Sequence, residues 1–210
     1  MKFDKTKEII KQSLQELEKK YCSNQKDFLT EADVVSFLIS NLRKKIKEGL
    51  RVHSQLRPFY QTEERYYVIK KEGETWGWRL QRKANEGAVF DVVVVDDYDR
   101  YFKQALEKAR KDQGAPLNLK YWRMLSYPVE AFHAVLEVKI RLSGNVKEIG
   151  QVELPKLSAI QEKRNCLLYY VVIDRCFKNE DRESLKKFEE NYKGRIYLEI
   201  LPRAKQEVIK

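Results

Sequence analysis

Three short stretches constrain this chain more than anything else in it: "AVFDVVVVDD" (88–97), "AFHAVLEVKIRL" (131–142) and "CLLYYVVID" (166–174). Each is an apolar run of strand length, rich in Val, Ile or aromatic residues, which is the pattern of a strand buried in a sheet. In a strand, side chains at i and i+2 share a face. Phe132, Ala134, Leu136, Val138 and Ile140 are therefore expected on one side of the second run. His133, Val135, Glu137, Lys139 and Arg141 are expected on the other. In the first run Asp91 alternates with Val93 and Val95. A carboxylate in so apolar a strand is unfavourable unless it meets a donor or a cation. Taken alone, Glu137 and Lys139 read as a solvated charge pair, and Asp91 as a strand-end cap or half of a salt bridge.

The elements around these strands follow from periodicity. Residues 4–21 carry Ile10, Leu14, Leu17 and Tyr21 on one stripe and are expected to be an amphipathic helix. A second helix is expected over "TEADVVSFLISNLRKKI", with Thr30 as its N-cap, Asp33 as the capping-box partner and Gly49 near its end. "RVHSQLRP" reads as a short strand closed by Pro58, and "RYYVIKKEGETWGWRLQRK" as a hairpin turning at Gly73. A helix is expected over 99–112, with Asp96 and Asp97 as its caps, followed by an irregular stretch up to the second strand run. "VELPKLSAIQEKRN" and "EDRESLKKFEENY" read as helices and "RIYLEIL" as the last strand. There is no internal repeat and no low-complexity linker. The order indicates a single α/β domain over 1–210, built on a mixed sheet.

Composition narrows the function. The 210 residues suffice for one good-sized core, and 35% charged with 11% aromatic residues excludes a disordered or membrane-spanning chain. No apolar run has bilayer length, and the first residues lack the apolar segment of a signal peptide. Cys22, Cys166 and Cys176 show no C-x-x-C spacing, and His53 and His133 are the only histidines, which argues against a zinc site. Reduced thiols and a cytoplasmic location are expected. A net charge of +10 and a pI near 9.3 favour an anionic partner, nucleic acid first. Glu31 falls near the middle of the stripe of Val35, Leu38 and Leu42, so it is expected to face the core side of its helix. Favourable contact with the helix dipole explains an acidic residue there equally well.

Together, helical Glu31, strand Asp91 and then Glu137-Val138-Lys139 on the next strand resemble the PD-(D/E)XK nuclease superfamily. That superfamily carries one acidic residue on its second core strand, (D/E)-x-K on its third and frequently a Glu on its first core helix. The resemblance covers roughly residues 28–200. It implies a restriction-endonuclease-like fold, a central mixed β-sheet flanked by helices. Residues 1–24 would then be an N-terminal helical extension and 97–131 an insertion between the motif strands. Phe90 stands where a proline often precedes the first acidic residue. The implied activity is a metal-dependent endodeoxyribonuclease with Mg²⁺ (or Mn²⁺) as cofactor and DNA as partner. Whether it acts as a monomer or a homodimer stays open.

The chemistry accounts for these residue types. Phosphodiester hydrolysis needs a hydroxide-like nucleophile and stabilisation of charge on phosphorus, which a hard divalent cation supplies from one or two carboxylates and water. Asp91 and Glu137, with the carbonyl of Val138, are the implied metal ligands. Lys139 would stand beside the attacking water or the phosphate, and Glu31 at the outer edge. The competing expectations are a catalytically inactive nuclease-like DNA-binding module and a structural protein with a chance motif. "VVVVDD" also resembles the acidic pair of a receiver domain, but Asp96 lies too far along the chain for that pattern. Cations interleaved with aromatics mark Arg79, Arg82, Lys120, Trp122 and Arg123 as candidate nucleic-acid contacts, with core packing as the alternative for the aromatics. Lys44, Lys45 and Lys47 read as a solvated helix face, and Lys156 and Gln161 lie on the helix that could reach the site.

Overall fold

In the computed structural model eight strands form one mixed sheet, described together with the helices over residues 3–46, 49–62, 65–81, 87–96, 100–101, 103–104, 107, 126–141, 149–174 and 179–202. The strands are β1 (Leu50–Thr62), β2 (Arg65–Glu72), β3 (Thr75–Gln81), β4 (Phe90–Asp96), β5 (Ser126–Pro128), β6 (Phe132–Arg141), β7 (Leu167–Asp174) and β8 (Tyr197–Leu201). They lie in the order β3-β2-β1-β4-β6-β7-β8, with the short β5 beside β1. Neighbours from β3 through β6 run antiparallel, while β6, β7 and β8 run parallel. Parallel neighbours need long crossovers. These contain helices α3 (Leu154–Gln161) and α4 (Asn179–Asn191). The expected mixed α/β architecture, a central sheet flanked by helices, is observed.

Two apolar clusters sandwich the sheet. On one side α1 (Phe3–Ser23) and α2 (Glu31–Lys45) bury Ile10, Leu14, Leu17, Leu38 and Leu42 against Val92, Val94, Ala134, Leu136 and Val138. On the other, Leu157, Ile160 and Leu185 of α3 and α4 pack with Val93, Val95, Val135, Tyr170 and Val172. The β2–β3 hairpin leans on that second layer, where Trp78 Nε1 donates to the Ala159 carbonyl at 2.8 Å. No helix among the described residues is long and apolar enough to cross a membrane.

Local signals were realised where the sequence carried them. Thr30 caps α2 in a full capping box: Asp33 N–H donates to the Thr30 side chain, and the Asp33 carboxylate accepts from Thr30 N–H at 2.8 Å. The hairpin turns at Gly73, whose φ of +56° suits glycine, and Glu72 pairs with Thr75. Of the helix expected over 99–112, residues 100, 101, 103, 104 and 107 are helical and the others lie outside the described residues.

Three features differ from expectation. Pro58 does not close β1, which runs on to Thr62. The ladder to β4 ends at Leu56 and the ladder to β2 begins at Phe59, so the missing proline N–H falls between the two antiparallel ladders. Second, the register slips between Val94 and Val95, so that Val94 pairs with Ala134 but Val95 with Phe132. Such a bulge turns one end of a strand over. Phe132 joins Val135 in the core, and His133 faces α1, bonding Thr6 at 2.9 Å and stacking on Phe3. From Ala134 onward the expected alternation holds. Third, the helix expected from Val152 is split into a π turn over Ile149–Glu153 and then α3.

The capping box and the core beneath it predict different penalties. Thr30→Ala should lower stability by about 1 kcal/mol, and Leu38→Ala by about 3 kcal/mol. Urea denaturation of the two variants would check the ranking, and equal losses would contradict it.

Candidate active site

The β4–β6 ladder ends at the pair Val92 and Leu136. One step beyond it on each strand stand Asp91 and Glu137. Asp91 Oδ2 accepts the Val138 N–H at 2.9 Å, so the side chain takes over a backbone donor past the end of the ladder. Burial raises the Asp91 carboxyl above its ordinary range, a shift that the Val138 N–H and then Lys139 and Lys156 reduce but do not cancel.

Glu137 is buried at 2% exposure on the sheet face opposite Leu136 and Val138. Its Oε1 accepts from Lys156 Nζ at 2.6 Å and lies 3.5 Å from Lys139 Nζ. Its Oε2 is buried without a hydrogen-bond partner. Burial first, opposed by Lys156 and aided by Asp91 and Glu153, pushes its carboxyl up to about 7. Lys139 Nζ stands 3.4 Å from Glu31 Oε2 and 4.0 Å from Glu153 Oε1. Burial opposes charge on Lys139, but Glu137, Glu153, Asp91 and Glu31 outweigh it and hold the ammonium protonated well above its usual range. Glu31 opens α2 and is partly exposed, at the rim of the cluster and not in its core.

The structure thus brings Glu31, Asp91, Glu137 and Lys139 together. Lys156 joins them, while Gln161 turns away to donate to the Arg195 carbonyl at 2.7 Å. Glu153, at the end of the π turn, forms an ion pair with Lys156 at 2.7 Å and does not stand out in the sequence. Its signal was the i,i+3 pair of opposite charges in the otherwise apolar "VELPKLSAI", which an ordinary helix start explains equally well. Arg79 is engaged within its own hairpin, pairing with Glu72 at 2.7 Å and donating to Thr75. Arg82, Lys120, Trp122 and Arg123 lie outside the described residues.

Among the described residues, no three His, Cys, Asp or Glu side chains converge as a ready-made metal centre. The donor set nonetheless suits a hard divalent cation, which commonly takes only one or two carboxylates and completes its shell with water. Asp91 and Glu137 are adjacent oxygen donors, and the second Glu137 oxygen is the orphaned one. Four carboxyl groups (Glu31, Asp91, Glu137, Glu153) lie around two ammoniums (Lys139, Lys156), and a divalent cation would hold the buried Asp91 and Glu137 in their charged form. A cleft of about 690 Å³ between α2 and β1 opens onto Glu31 and Asp91.

Fold and site together define a mixed α/β protein with a carboxylate–lysine cluster where two antiparallel strands part. No protein-family model matches the chain, and no curated protein matches it in sequence. Among solved structures it is similar to NucC of P. aeruginosa ATCC27853 in the cAAA-bound form, at 9% identity over 86% of this chain and 70% of that one, with a TM-score of 0.45. It is also similar to NucC of E. coli MS115-1. The cAAA-bound form matches at 11% identity over 89% of this chain and 69% of that one, TM-score 0.45. The apo form matches at 11% identity over 72% of this chain and 60% of that one, TM-score 0.38.

The buried Glu137 predicts a pH signature. A carboxyl lifted from 4.5 to about 7 binds a proton on folding between those values. Its contribution to stability is fully present below the lower value and is lost as pH rises through the upper one. In metal-free buffer, Glu137→Gln should therefore match the native protein in Tm near pH 4.5 and exceed it increasingly up to pH 8. A Tm difference that stays constant across that range would refute the assignment.

Proposed function

We propose that this protein is a divalent-metal-dependent nuclease that hydrolyses DNA phosphodiester bonds. The observation carrying this reading is the convergence of Asp91, Glu137, Lys139 and Glu31, of which Glu31 and Asp91 also line a cleft, an acidic cluster within a chain of net charge +10. Asp91 and Glu137, with the Val138 carbonyl, would hold Mg²⁺ or Mn²⁺. When bound, such a cation lowers the pKa of water and offsets charge on phosphorus.

The chain's own residues supply the rest. Lys139, held protonated by its carboxylate neighbours, cannot serve as a base at neutral pH. Its part is to bind the phosphate and stabilise the charge that grows on it. Glu31 steadies the Lys139 ammonium from the rim. Lys156 offsets the charge of Glu137 and Glu153 from the buried side, which keeps both carboxylates in place.

One observation favours the second reading, an inactive DNA-binding module: Lys156 already occupies Glu137 Oε1, as a cation substitute would. The two readings separate by experiment. Under the nuclease reading, purified protein cuts DNA with Mg²⁺ or Mn²⁺ and not in EDTA. Lys139→Ala should slow cleavage on the order of 10²–10³-fold with little change in DNA affinity measured in Ca²⁺. Asp91→Asn keeps an oxygen acceptor for the Val138 N–H but should abolish cleavage and tighten metal-free binding, because one charge facing the phosphate is gone. Absence of cleavage on every DNA form, with Ca²⁺ failing to tighten binding, would establish the module instead.

A further inference from the structure

The cleft at Glu31 and Asp91 continues along α2 into a second recess of about 520 Å³, and the two share Ser36, Ile39, Arg43 and Ser54. Its ends differ in charge. The carboxylates of Glu31 and Asp91 line only the first recess and Lys44 only the second, with Arg43 where the two join. Between them the polar lining is Ser36 and Ser40, one helical turn apart on α2, with His53, Ser54 and Gln55 of β1; burial, with Arg43 and Arg51 nearby, keeps the His53 ring neutral. Among the described residues, no carboxylate lines the groove beyond Glu31 and Asp91.

Two further details single out this face. Gln55 has a φ of +55°, the left-handed region that a non-glycine residue seldom adopts. It stands between the ladder pairs Ser54–Val92 and Leu56–Phe90, directly across from Asp91. Backbone strained in this way concentrates where a side chain or a peptide group must be aimed at a ligand. At the basic end, Arg43 Nε and Nη2 both donate to the Val52 carbonyl, at 3.1 and 3.0 Å. That clamp fixes the guanidinium fork at the groove while using only part of its donor set.

We infer that this groove is the track for one DNA strand leaving the cluster. The inference rests on the nuclease reading and adds to it the direction in which the substrate lies. The scissile phosphate sits at the Glu31–Asp91 end, and successive phosphodiesters pass Ser36, Ser54 and Gln55 to reach Arg43 and Lys44. Hydroxyls, side-chain amides and arginine are the groups that position a sugar–phosphate backbone without reading its bases. From Glu31 to Lys44, α2 advances about 20 Å, long enough for more than one phosphodiester to lie along it. A strand entering from the basic end is drawn toward carboxylates that accept its phosphate only once a cation is present.

The experiment compares exposed substitutions that make the surface more negative, Ser40→Glu by adding one charge and Lys44→Glu and Lys187→Glu by reversing one. Ser40→Glu and Lys44→Glu alter the groove, while Lys187→Glu lies on α4, against the other face of the sheet. Circular dichroism first establishes that each variant is folded. Fluorescence anisotropy on labelled single-stranded and duplex DNA, in Ca²⁺ at several salt concentrations, then measures affinity. Ser40→Glu and Lys44→Glu should each weaken binding on the order of ten-fold more than Lys187→Glu, and Lys44→Glu should flatten the salt slope by about one phosphate contact. If both groove variants bind like Lys187→Glu, the track is wrong, whatever the protein cleaves. If they lose binding while the native protein cuts no DNA with Mg²⁺ or Mn²⁺, the track stands and the nuclease reading falls.

Discussion

Burial of β4, β6 and β7 on both faces is the constraint on which the rest of the structure depends. Val92 to Val95, Ala134 to Leu136 and Leu168 to Ile173 have almost no exposed surface, because helices cover one face and helices with the curled hairpin cover the other. A strand in that position tolerates a charge only where partners are supplied. Asp91 and Glu137 stand where the β4–β6 ladder gives out, so the loss of backbone pairing and the arrival of charge coincide. Lys156 and Glu153 are the compensation that the second helical layer brings to that point.

Compensation by neighbouring charges has a chemical side. Glu137 is bound on one oxygen and bare on the other, and its proton affinity lies close to neutrality. Lys139 is pulled the other way, toward permanent charge. Two side chains on the same strand face, two residues apart, are thereby driven to different protonation behaviour by their surroundings alone. An isolated pair on a solvated strand would show neither effect.

Much of this was legible in the sequence, for identifiable reasons. Apolar runs of strand length located β4, β6 and β7, and the Thr30–Asp33 pair located the start of α2, because each signal is local. Asp91, Glu137 and Lys139 stood out as charges in apolar strands, and their chain order suggested one cluster. What escaped depends on contacts that local periodicity does not encode. The bulge at Val94/Val95 that turns Phe132 and His133 over is decided by packing on α1. The π turn that aims Glu153 inward looks, as sequence, like an ordinary helix start. Ser36 and Ser40 look like the wet side of an amphipathic helix, and only the placement of β1 beside them makes a groove.

The bond between Thr6 and His133 joins residues 127 positions apart. It ties α1 to β6, the strand that carries Glu137 and Lys139. On a ribosome, α1 emerges before β6 and waits for it, roughly 6–25 s at ordinary elongation rates. Until β6 arrives, the stripe of Ile10, Leu14 and Leu17 lacks the part of its cover that Ala134, Leu136 and Val138 supply, and a chaperone or a neighbouring nascent chain can compete for it. Contacts of such long sequence separation also slow folding after release. The carboxylate–lysine cluster, which joins residues from Glu31 to Lys156, depends on the same long-range closure.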